Sequence, residues 1–150
     1  MKTSKEMMQS NTALWIKFSE LADIVLTNDA YNSHGLDRGQ REFLFAYISE
    51  KNKCDYCSIR HFEFARSLGV TELPPQVIEI VDMLYSNIGS PITCKVTPLV
   101  EQIIATIGLA QFINLHMIAY NVPRGPIVLS DTPYFKESGY AKAFKNLLTG

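Results

Sequence analysis

From Gln102 to Pro123 not one residue is charged, and this run constrains the fold more than any other feature. Thr97-Pro98 precedes it as an N-cap and first-turn pair, so the spacing predicts one long helix that stops before Pro123. The run is long enough to raise a membrane-spanning reading. Gln102, Thr106, Gln111, Asn114 and His116 interrupt it, however, and a helix in lipid would carry those polar groups at a cost. The helix is therefore expected at the centre of a bundle or at a subunit contact, with no membrane involved. The chain as a whole is 19% charged against a globular average of about 25%, and the uncharged run gives that shortfall a location.

Helix signals fill most of the remaining sequence, whereas period-2 runs are short and no βαβ spacing appears. Leu14, Trp15, Phe18, Leu21, Ala22 and Val25 recur at helical spacing over Asn11–Thr27, with Asn11 as N-cap. YNSHG at Tyr31–Gly35 reads as a loop. Asp37 and Gln40 form a capping box for a helix through Phe43, Leu44, Tyr47 and Ile48, closed by the polar cluster Glu50–Lys53. A further helix runs from Cys54 to Leu68 with Gly69 just past its end. Pro74-Pro75 opens another to about Asn87, and a last helix is expected near Ser138–Leu148 after a loop-like tail. The expectation is a single all-α domain over residues 1–150, a bundle of about six helices. A chain of 150 residues is long enough to bury roughly 70% of its unfolded surface.

Composition excludes several classes of function. A net charge of −1 argues against an electrostatic nucleic-acid binder. Three cysteines are too few, and odd in number, for a disulfide-stapled secreted scaffold. The start, MKTSKEMMQS, shows no apolar signal-peptide region, so a cytoplasmic location is the expectation.

Chemistry concentrates in CDYCSIRH. Cys54, Cys57 and His61 stand at i, i+3 and i+7, within roughly 60° of one another around a helix axis. Phe62, Phe64, Ala65 and Leu68 share that side, and Asp55, Arg60, Glu63 and Arg66 fall opposite. Two thiols and an imidazole thus face the core, where polar groups need partners. Thiols three residues apart in a helix lie within the window a disulfide demands. Cys54 stands at the first turn, where unpaired N–H groups and the helix dipole favour a thiolate. A c-type haem site needs histidine directly after the second cysteine, and Ser58 is there. Structural zinc needs a fourth ligand, which only Cys94, His34, His116 or Glu42 can supply, so a zinc-stabilised domain stays open as a rival.

Glu42 lies twelve positions before Cys54, and the whole pattern is E-x11-C-x2-C-x3-H. With Tyr56 before the second cysteine and Ala65 to Gly69 ending the segment, it resembles the alkylhydroperoxidase D-like proteins of the carboxymuconolactone decarboxylase superfamily. The resemblance covers about Leu36 to Val122. It implies an all-helical fold, a homo-oligomer (commonly trimer or hexamer), and thiol-dependent peroxidase or disulfide-reductase chemistry without metal or bound cofactor. It further implies that Cys57 attacks the peroxide, that Cys54 resolves the sulfenic acid to a disulfide, and that Glu42 and His61 relay protons. The implied reductant is a dithiol such as a lipoyl group or a thioredoxin-like protein. Some members carry histidine at the position of Tyr56, so a relay role there does not transfer.

Thiol activation alone is a weak lever. Lowering a thiol pKa by about two units increases the thiolate but weakens it as a nucleophile, for a net gain of about threefold. Positioning the peroxide and protonating the departing oxygen must supply the rest, and a carboxyl beside an imidazole suits that task. Three residues are expected to stand aside: Cys94 as a half-buried inert thiol, His34 as a solvated loop residue, and His116 as a packed core or interface residue. Tyr56 is expected on the helix face opposite the thiols, lining a subunit contact or an approach path.

Overall fold

Thr97 accepts a hydrogen bond from the Val100 N–H and Pro98 opens a helix of 22 residues, so the local capping chemistry starts the long uncharged helix where the sequence predicts. A computed structural model describes residues 3–27, 35–91, 93–122 and 139–149. Among these residues there is no strand, and seven α-helices form the fold: α1 (Ser4–Gln9), α2 (Thr12–Ala22), α3 (Arg38–Lys51), α4 (Asp55–Ser67), α5 (Pro75–Ser86), α6 (Pro98–Ala119) and α7 (Tyr140–Thr149). The count exceeds the expected six because Thr3 caps a short helix in the N-terminal segment, where Met7 and Met8 are buried. The helix expected through Thr27 is α-helical only to Ala22 and continues as a π-helical turn over Asp23–Thr27. The last helix starts at Tyr140; Ser138, His34 and most of the expected Tyr31–Gly35 loop lie outside the described residues.

Among the described elements, α3 and α4 pack against each other most extensively. The Asp37–Gln40 capping box starts α3, and Lys53, in the left-handed region at φ 59°, turns the chain back into α4. At the far end of α4, Gly69 adopts φ +82°; its N–H bonds the Arg66 carbonyl and the Val70 N–H bonds that of Ala65. That is a Schellman closure of the helix. The short connection makes α3 and α4 an antiparallel hairpin, so residues at similar distances before and after the turn come level. Glu42 and His61 are such a pair.

Helix α6 lies against α3 and is buried along one side only. Its polar interruptions have structural work: the Gln102 side chain accepts from the Leu36 N–H at 2.7 Å, and Thr106 donates to the Gln102 carbonyl at 2.8 Å. His116 donates to the Phe112 carbonyl at 2.6 Å and packs edge-on to Trp15, a packed but half-buried position. One side of α6 is left uncovered by the described elements. Ile104, Leu115 and Ile118 remain exposed, Leu115 by 66%, because no other described element covers that side. By length and apolarity α6 qualifies as a possible membrane span, yet half of its most apolar window is buried within this fold.

Candidate active site

Cys54 is the N-cap of α4, one position outside the helix, and its side chain makes no capping bond. The expected first-turn position is thus displaced by one residue. Its carbonyl accepts the first helical N–H, from Ser58, and its own N–H donates to Ser49 at the end of α3. Cys57 follows one turn later. The two Sγ atoms lie 3.1 Å apart, both side chains are buried, and the pair is not bridged. Closing a disulfide of about 2.05 Å therefore requires roughly 1 Å of sulfur movement.

The core-facing side of α4 holds Cys57, Ser58, His61, Phe64 and Ala65. Phe62 and Leu68, expected there, are only half-buried, since Phe62 turns toward Phe43 at 5.0 Å between ring centres. His61 follows Cys57 by four residues on the same face. Its Nδ1 stands 2.6 Å from Glu42 Oε2, and its ring packs 4.3 Å from that of Phe45. Glu42 is 1% exposed. A carboxylate so deep requires partners for both oxygens, and the second partner is Tyr140, whose hydroxyl donates to Glu42 Oε1 at 2.6 Å.

Asn114 marks the other side of the thiols. It is fully buried on α6, donates to Ser49 Oγ at 3.2 Å and accepts from Asn52 at 3.0 Å. Asn52 in turn accepts from the Tyr85 hydroxyl at 2.6 Å. Asn114 also bonds Cys57 and pulls its thiol toward ionisation, but opposing effects are larger. The hydrogen bond to Cys54, then burial, then the charge of Cys54 push the Cys57 thiol well above the ordinary thiol value. Two thiols this close titrate as a pair rather than singly.

A cavity of about 140 Å³ opens beside this pair, and the cysteine among its lining residues is Cys54, together with Tyr56, Met117, Ile118 and Val122. Tyr56 is half-buried, with its hydroxyl 3.2 Å from Ser4 Oγ and 3.4 Å from an Arg60 nitrogen. It thus stands on a path to Cys54. Cys94 is half-buried in the connecting segment before α6. Among the described residues no three His, Cys, Asp or Glu side chains are arranged to hold a metal ion. His61 is directed at Glu42.

The four residues singled out by spacing thus form two adjoining pairs, Cys54–Cys57 and Glu42–His61. Two members were missed. Asn114 had a weak signal, a polar residue in an apolar run. Tyr140 had none, because 98 positions separate it from Glu42 and its neighbourhood carries no motif. No known protein family, curated protein or solved structure matches the chain.

The raised thiol has a consequence for stability. Where the folded protein keeps a proton that the unfolded chain has lost, stability falls as pH rises. The reduced protein is expected to lose thermal stability from about pH 9 upward through Cys57, and further above about pH 10 through Tyr140, whose phenol is also pushed up by burial and by the Glu42 charge. Oxidation to the Cys54–Cys57 disulfide should remove the first loss and leave the second. Melting curves of both redox forms across alkaline pH test this; superimposable profiles would contradict it.

Proposed function

We propose that the protein is a thiol oxidoreductase of the alkylhydroperoxidase D-like type, reducing hydrogen or organic peroxides through a Cys54–Cys57 dithiol–disulfide cycle. The observation that carries this reading is the juxtaposition of two sulfurs 3.1 Å apart with a buried carboxylate–imidazole pair one helical turn away. Cys54, which borders the cavity, takes the electrophile. Its thiolate attacks one peroxide oxygen, the O–O bond breaks, and the departing alkoxide or hydroxide takes a proton supplied through His61. The sulfenic acid on Cys54 is then attacked by Cys57, releasing water and forming the disulfide. Two thiols and one peroxide thus become a disulfide, an alcohol (or water) and water. An external dithiol restores the pair by exchange and leaves as its own disulfide.

Glu42 has the role of an orienting carboxylate. It holds the Nδ1–H of His61, leaving the Nε2 lone pair to accept the thiol proton, and it stabilises the imidazolium that results. The cavity suits a small peroxide. The exposed Ile104, Leu115 and Ile118 on α6 support a homo-oligomer in which a second copy covers that side. A reducing cytoplasm, which returns the pair to dithiols, is the compartment this cycle fits.

A second reading shares the thiol pair: a disulfide reductase or redox-responsive interaction protein, favoured by Cys54 being one of the residues that line the cavity. Supplying the same preparation with hydrogen peroxide, an alkyl hydroperoxide and a small disulfide separates the two. Peroxide turnover at least about tenfold faster than disulfide turnover supports the peroxidase; the reverse order selects the reductase.

A further inference from the structure

We propose that Tyr140 is a positioning residue of this site: its hydroxyl fixes the Glu42 carboxylate and so sets the proton of His61 on Nδ1, making the docked C-terminal helix part of the acid–base machinery. This rests on the function proposed above and deepens it. The hydroxyl donates to Glu42 Oε1 at 2.6 Å and lies 3.3 Å from His61 Nδ1. The phenol and imidazole rings are nearly parallel, 6.1 Å between centres at 10°. Among the described residues, His61 and Tyr140 are the hydrogen-bond partners of Glu42, one on each oxygen. A carboxylate held at one oxygen alone can rotate about its last side-chain bond, which is broad and soft. Held at both, it presents Oε2 to His61 in one orientation.

The placement of Tyr140 is itself built. Its backbone N–H donates to Asp23 Oδ1 at 2.8 Å, at the start of the π-helical turn after α2. Gly139 precedes it at φ +79°, and a Cβ there would stand 2.6 Å from the same Asp23 oxygen. The chain thus enters α7 by a conformation that favours glycine, with no room for a side chain against Asp23. Phenylalanine would fill the apolar volume beside Phe144 equally well; the hydroxyl adds the bond to the site carboxylate and the 3.3 Å approach to His61 Nδ1. The charged groups acting on this phenol from α3 and α4 are Glu42, Arg38 and Arg60. Such an arrangement makes His61 competent only when α7 is seated.

Ring-nitrogen NMR of the reduced, full-length protein tests the assignment. His61 of the unaltered protein is expected as the Nδ1–H tautomer, and finding Nε2–H there overturns the proposal without any variant. Tyr140→Phe should retain the helical spectrum yet give a mixed His61 tautomer, with kcat for peroxide down about tenfold and KM unchanged. An unaltered tautomer in this variant, with or without slower turnover, overturns the positioning role. A shifted tautomer with unchanged turnover upholds the positioning role and instead refutes the use of His61 in the peroxidase cycle.

Discussion

Replacing either Cys54 or Cys57 by alanine is expected to abolish peroxide-dependent oxidation of a dithiol, by about a thousandfold or more. The two variants should fail differently. In Cys57→Ala the cysteine that lines the cavity remains but nothing resolves it, so a sulfenic acid should accumulate on Cys54 and be captured by a sulfenic-acid reagent. In Cys54→Ala the remaining cysteine is not among the residues that line the cavity, so capture should be slow. Full activity in either variant contradicts the cycle. The opposite order of capture places the first attack on Cys57, as the family resemblance implies.

The second large effect concerns the carboxylate–imidazole pair. His61→Ala and Glu42→Gln are each expected to slow peroxide reduction about a hundredfold, the scale of lost general acid–base catalysis. Glutamine keeps the size of Glu42 and can still accept from Tyr140. Turned that way, it directs an amide N–H at Nδ1, forcing the imidazole proton to Nε2, where it blocks uptake of the thiol proton. The variants differ in stability. His61→Ala strips one partner from a buried carboxylate, at a cost of about 3 kcal/mol, and adding Glu42→Gln should recover part of that loss. Equal turnover in Glu42→Gln and the unaltered enzyme would remove the relay.

Much of the frame was legible because it depends on local chemistry. The caps at Asn11, Asp37 and Thr97 and the closure at Gly69 each lie where side-chain and backbone rules place them. Glu42 and His61 were legible for a similar reason: a short α3–α4 turn converts a spacing in sequence into a facing pair. Other features depend on encounters between distant segments. Nothing near Tyr140 announces that its hydroxyl meets Glu42, and nothing near Asp23 announces that it anchors α7. Asn114 belongs between the two cases, since a polar residue in an apolar helix declares a need for partners without naming Ser49, Asn52 or Cys57. The uncharged run allows either a bundle centre or a subunit contact, because an apolar sequence reports which surface prefers burial and not which neighbour covers it; one side of α6 is left exposed.

The central claim is that Cys54 and Cys57 form a working dithiol. Treating the fully reduced protein with one equivalent of hydrogen peroxide and measuring its intact mass, followed by peptide mapping, tests it most directly. The account predicts a product lighter by two hydrogens, with Cys54 joined to Cys57, Cys94 still a thiol, and the starting mass restored by a dithiol. A product that gains oxygen on a single cysteine without closing the Cys54–Cys57 bond, or an unchanged mass under the same conditions, would contradict it.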